Sequence, residues 1–191
     1  MDMKTQLKKY TLNATIVFIL ILAFAYISTY IHELGHAIMI VLSGGNILDL
    51  TVNSPLTFDG ISGYVLTNIQ YSVPIVIGGV LATSVIAVVL CFTARRTILS
   101  YLMLCLSACT LYNAAYALSG SNDFTWLVRY SWWSALVCLG IVIVNIYIAQ
   151  QGLNDMVDDL KGQRTYTNLE GIIGISRLNN LPLFKKLHLE F

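Results

Sequence analysis

The sequence predicts an all-α polytopic membrane protein of about four transmembrane helices, with a small β-hairpin or sheet connector after the first. Three observations predict it. Hydrophobic residues make up 57% of the 191 and charged residues 11%, against about 25% charged in ordinary globular chains. Mean hydropathy is +0.71. The charges gather at the ends and in short connectors and leave long stretches uncharged. A bilayer core of about 30 Å needs about 20 apolar residues in a helix, and four segments qualify, at about 11–42, 73–93, 97–118 and 127–149. In lipid such segments must be helical, because unpaired backbone groups find no water there. The chain therefore divides into a four-span membrane domain, 1–150, and a polar C-terminal tail, 151–191.

The first apolar run is longer than a span needs. About 32 helical residues reach about 48 Å, so the helix tilts or its far end sits inside protein. Lys8-Lys9 followed by an apolar stretch, with Ala23-Phe24-Ala25, is also the pattern of a signal peptide and its cleavage site. The apolar run continues straight past that point, so a retained span is expected. Gly44-Gly45 can end the helix in the left-handed cap conformation. The connector at 44–72 then alternates strand-like runs, 47–52 and 61–67, with the turn signals Asn53-Ser54-Pro55 and Asp59-Gly60.

In the second span Gly78 to Ala82 is small-xxx-small spacing, with Gly79 beside it. Small residues let membrane helices approach closely, so this reads as a packed inner helix and not as a site. The four cysteines, Cys91, Cys105, Cys109 and Cys138, lie in apolar runs without a CxxC pair and read as small buried hydrophobes. In the tail, a short helix lying on the membrane is expected around 181–187.

Lys and Arg near the span ends set orientation. Lys4, Lys8 and Lys9 precede the first span, Arg95 and Arg96 join the second to the third, and Lys161 and Arg164 follow the fourth. The opposite connectors, about 44–72 and 119–126, hold none, and Arg129 is the one dissenter. Both termini are expected on the cytoplasmic side. A prokaryotic plasma membrane is the default setting for so small a chain without an organelle signal. With a net charge of +1 nothing draws in nucleic acid.

The chemistry lies in Ile31-His32-Glu33-Leu34-Gly35-His36, an HExxH near the end of the first run. Residues four apart on a helix point to one side, about one turn apart along the axis, which suits His32 and His36 as two ligands of a tetrahedral zinc. Glu33 sits beside that face as the catalytic base for an attacking water. A polar cluster kept for packing is the plain alternative. Ionisable groups inside a span are costly and usually functional, and three in five positions argue for metal.

A catalytic zinc usually has three protein ligands. His188, in the tail, falls on the wrong side of the membrane. Asp49, Asp59 and Asp123 share the outer side with the end of the first span. Asp59 reads as a turn residue and Asp49 as a surface strand residue. Asp123, in the loop after the third span, is the preferred third ligand; the competing role for it is a helix cap for the fourth span.

HELGH within a span, a glycine-bearing connector and a later aspartate at a span end together resemble the site-2 protease family of intramembrane zinc metalloproteases, over about residues 14–125. The resemblance implies one Zn2+ per chain on His32, His36 and Asp123, with Glu33 as base. Many members carry their aspartate in Asn-x-x-Pro-x-Pro-x-Leu-Asp-Gly, whereas residues 113–123 here contain no proline and no Leu-Asp-Gly. Asn113 or Asn122 is available as an oxyanion donor.

The expected function is hydrolysis of peptide bonds in or next to a substrate's transmembrane segment, with an active site towards the outer side. The alternative is a zinc-binding membrane protein without proteolytic activity, a chaperone or regulator. A small transporter is disfavoured, because no chain of ionisable groups crosses the bilayer. The implied partners are a membrane-protein or membrane-adjacent peptide and the lipid bilayer.

Overall fold

A computed structural model describes residues 3–53, 62–94, 97–115, 117 and 122–161. Asp59, Arg95, Arg96, the turn at 54–55 and the tail from 162, with Arg164, the 181–187 segment and His188, lie outside the described residues. The order of elements is α1 (Met3–Leu42), β1 (Ile47–Val52), β2 (Gly63–Thr67), α2 (Val73–Thr93), α3 (Leu99–Ala115), α4 (Asp123–Tyr130) and α5 (Trp132–Leu160).

Three helices are long and apolar enough to cross a membrane: the Tyr10–Leu42 part of α1, α2 and α5. The expected third span is the shorter apolar helix Leu99–Ala115, whose 17 residues reach about 26 Å. The expected span 127–149 is also redrawn. Its first residues belong to α4, and α5 begins at Trp132 and continues to Leu160. Ser131 makes the break, because its Oγ accepts from the Ser134 amide at 3.3 Å and caps α5.

The bundle is apolar outside and partly polar inside. Phe18, Val85, Phe92 and Ile143 are exposed, while Thr83 Oγ1 meets Thr110 Oγ1 at 3.0 Å and Asn145 Nδ2 donates to Ser84 Oγ at 3.0 Å. Such interhelical bonds join α2, α3 and α5 where lipid gives no hydrophobic drive for helices to associate. At one end of the bundle Asn13 Nδ2 donates to the Asp159 carbonyl at 3.3 Å and Tyr101 Oη to Asp159 Oδ2 at 2.5 Å. The start of α1, the start of α3 and the end of α5 therefore share a level. His32 lies 19 residues further along α1, about 28 Å away.

Gly44 has φ +79°, and the amides of Gly44 and Gly45 donate to Val41 and Ile40 carbonyls at 3.0 Å each. This is a Schellman cap, where the glycine pair predicts it. The chain then turns into the antiparallel β1–β2 hairpin, registered Leu50 to Val65 and Val52 to Gly63. Val65 packs with Ala37, Ile40 and Ile75, which docks the hairpin on the end of α1 and the first turn of α2.

The α1–α2 crossing is backbone against backbone. A Cβ on Gly35 would lie 2.4 Å from the Gly78 carbonyl oxygen, and one on Gly78 would lie 2.6 Å from that of Gly35. A Cβ on Gly140 would meet nothing within 4 Å. Gly78→Val should thus force the helices apart and cost about 1–3 kcal/mol, whereas Gly140→Ala should leave stability unchanged or slightly raised. Thermal unfolding of the two variants in the same detergent checks the contrast.

Candidate metal centre

Helix periodicity puts His32 and His36 on one face of α1, and the close crossing presses that face onto α2. Both imidazoles and Glu33 are buried, each 5–6% exposed. His36 Nδ1 lies 2.7 Å from the Ile75 carbonyl oxygen. As the Nδ1–H donor it leaves the Nε2 lone pair pointing into the site, the usual outer-shell arrangement that fixes a ligating tautomer.

Asp123 arrives from the other side. Asn122 caps α4: its Oδ1 accepts from the Thr125 amide and hydroxyl at 3.0 Å each, and its Nδ2 donates to the Asn113 carbonyl at 2.8 Å. Phe124 and Leu127 pack against Val76 and Val80 of α2. With α4 pinned at its cap and along its apolar face, Asp123 Oδ2 lies 2.8 Å from His32 Nε2 and 3.1 Å from His36 Nε2. The two Nε2 atoms are 3.2 Å apart. His32, His36 and Asp123 are a group able to hold a metal ion.

The donors suit zinc. Tetrahedral ligands at about 2.0–2.1 Å from zinc stand about 3.3 Å from one another, close to the observed triangle. Three such atoms held so near one another repel unless a proton or a metal cation lies among them. Burial pushes the Asp123 carboxyl up, but its hydrogen bonds to His32 and His36 outweigh this and hold it well below the usual carboxylate range. Gly79 forms the wall, where a Cβ would lie 2.5 Å from His36 Nε2 and 2.8 Å from His32 Nε2.

Glu33 points past the triangle to the hairpin. A Cβ on Gly63 would come within 2.5 Å of Glu33 Cγ and 2.8 Å of its Oε1, so a side chain at the start of β2 would displace this carboxylate. Tyr71, Asn122, Asp123, Trp126, Arg129 and Tyr130 line a cleft of about 480 Å³ that opens beside the centre. Tyr71 Oη donates to the Val65 carbonyl. Burial raises the pKa of its phenol, and the negative charges of Glu33 and Asp123 raise it further.

The structure thus brings together His32, His36 and Asp123, with Glu33 alongside. Asp123 is the first residue of α4, and the capping role falls to Asn122. Asp49 lies away on β1, accepting from Thr51 and Tyr64 hydroxyls at 3.0–3.3 Å. Asn113 Nδ2 is turned back to the Cys109 carbonyl at 3.1 Å. None of the four cysteines joins the metal-holding group. Sequence reasoning missed Gly79, read as packing alone, and Gly63 and Tyr71, for which a glycine and a tyrosine in a connector give no signal.

These features define a helical membrane protein with a His-His-Asp site, its imidazoles buried and its aspartate part-exposed, and an adjacent glutamate. The chain belongs to the peptidase M50B-like family, the site-2 protease family, whose model matches residues 10–157. No curated protein and no solved structure matches it.

Gly79→Ala tests the wall directly. It should lower bound zinc at least tenfold while preserving the helical circular dichroism, because the new methyl takes the space between the two imidazoles. Metal analysis of purified Gly79→Ala against wild type reads this.

Proposed function

We propose that this protein is a membrane-embedded zinc metalloprotease that cuts peptide bonds in or next to substrate transmembrane segments. The observation that carries the reading is the convergence of His32 Nε2, His36 Nε2 and Asp123 Oδ2 within 2.8–3.2 Å of one another, beside the buried Glu33 of a peptidase-family chain. His32, His36 and Asp123 would hold one zinc. When bound, zinc supplies Lewis acidity, lowering the pKa of water towards ~7 and polarising the scissile carbonyl.

Glu33 takes the proton of the attacking water and returns it to the departing amide nitrogen. The Ile75 carbonyl keeps the His36 ring in one tautomer and orientation. Asn122 spends one Nδ2 hydrogen on Asn113 and has a second to offer an oxyanion from the cleft wall. A helical substrate hides its carbonyls in hydrogen bonds and has to unwind before attack. The hairpin offers it a template: each strand of a two-stranded sheet has an unpaired edge, and Gly63 brings β2 against Glu33.

The distribution of Lys and Arg supports a cytoplasmic level for the start of α1 and the end of α5, with the catalytic site towards the outer face. A zinc-binding regulator without hydrolytic activity would need the same three ligands but would not need Glu33.

The test is zinc content and cleavage of a membrane-span substrate in detergent. Glu33→Gln should keep about one zinc and lose about 10³-fold in rate, within the range for a general base. Asp123→Ala should lose the zinc. Retained cleavage in Glu33→Gln would overturn the protease reading. Replacing 63–67 with a flexible linker should weaken cleavage at unchanged zinc content, and equal cleavage would remove the strand template.

A further inference from the structure

Arg129 is out of place by charge. Between Tyr10 and Ala94 the chain has no Lys or Arg, and between Thr97 and Leu160 it has only this one. Arg129 stands in the last turn of α4, at the end of the bundle that holds the metal-binding group. It lines the same cleft as Asp123. Among the described residues it pairs with no carboxylate. Beside it, Trp126 and Tyr130 stack with centroids 5.1 Å apart and planes 16° apart, and both also line the cleft.

We propose that Arg129 is a specificity residue that binds a carboxylate of the substrate peptide, two to four residues from the bond that is cut. The proposal rests on the protease reading of the same cleft. Six residues along α4 separate the Cα atoms of Asp123 and Arg129 by about 10 Å, which an extended peptide covers in about three residues at about 3.3 Å each. The length of the arginine side chain widens this to two to four. An unpaired guanidinium offers a planar fork that fits a carboxylate with two parallel hydrogen bonds. A side-chain carboxylate and a free C-terminus present the same chemistry.

Peptide hydroxamates test this, because the hydroxamate binds zinc and fixes the register. A series of fluorescent, zinc-anchored peptides would carry one Asp at positions one to six from the hydroxamate, with Asn controls. A matching pair would end in a carboxylate or an amide. Binding to the full chain is measured in neutral phosphatidylcholine nanodiscs. Asp two to four residues out should bind about 5- to 10-fold more tightly than Asn, as suits a part-exposed charge pair. The preference should vanish in Arg129→Gln, persist in part in Arg129→Lys, and invert towards a Lys-bearing peptide in Arg129→Glu. The carboxylate–amide pair tells a C-terminus from a side chain.

Equal binding of Asp and Asn peptides, with the hydroxamate still bound, overturns the proposal and leaves the zinc reading intact. So does a loss in Arg129→Gln that is the same for both peptides and follows anionic lipid content, which would make Arg129 a headgroup anchor. If no hydroxamate binds, the zinc reading fails by itself. The same peptides without the hydroxamate then read Arg129 alone, and no difference between Asp and Asn overturns the proposal there too.

Discussion

Where α1 crosses α2, Gly35 and Gly78 meet carbonyl to Cα with no side chain between them, and the candidate metal centre depends on this contact. The approach sets His36 Nδ1 2.7 Å from the Ile75 carbonyl and makes Gly79 the floor beneath both Nε2 atoms. A helix pair held apart by ordinary side chains, at interaxial distances of about 8–10 Å, would leave the two imidazoles without that partner and facing a wider gap. The glycine inside HELGH is therefore more than filler between ligands. It is the reason that the ligand face can be buried.

Burial has a cost that the same arrangement offsets in part. Two imidazoles and two carboxylates in a low-dielectric interior are expensive unless each is paired. Here both rings meet Asp123 through Nε2, while His32 Nδ1 stays buried without a hydrogen-bond partner among the described residues. His36 has a backbone carbonyl and Asp123 has both rings. Glu33 rests in the space left by Gly63, next to a cleft that admits water. The hairpin and α4 are the two elements that close over the site, and each docks through its own apolar cluster, Val65 on Ile40 and Ile75, and Phe124 and Leu127 on Val76 and Val80. Neither cluster includes a candidate ligand or Glu33, so packing holds the geometry while the polar groups are left for chemistry.

Much of this was legible in the sequence. Period and spacing were enough for His32, Glu33 and His36, because a helix in lipid leaves no other conformation to consider. Gly44-Gly45 and the strand-like runs marked the end of α1 and the hairpin, and the side of the membrane favoured Asp123 over His188. The failures share a cause. A hydropathy window merges adjacent apolar segments, so it joins the end of α4 to α5 in one span and makes Arg129 an anomaly near its start. The break is a local matter of Ser131 and Ser134, and Asn122 two residues before Phe124 is a similar capping signal. Gly79 could not be told from Gly78 by sequence, since which of two neighbouring glycines faces a ligand depends on how one helix is rotated against another.

The separate helix α4 has a consequence for the site. An aspartate at the end of α3 would be carried along a bundle axis and could approach the α1 ligand face from one direction only. By ending α3, capping with Asn122 and starting a short helix, the chain brings Asp123 Oδ2 to 2.8 Å and 3.1 Å from the Nε2 atoms of two rings whose planes are 84° apart. The same short helix has one apolar side for α2 and α5, which leaves its remaining side for the cleft. On that side Trp126, Arg129 and Tyr130 stand within one turn of each other. A single eight-residue helix thus supplies both the third candidate ligand and one wall of the cleft beside it.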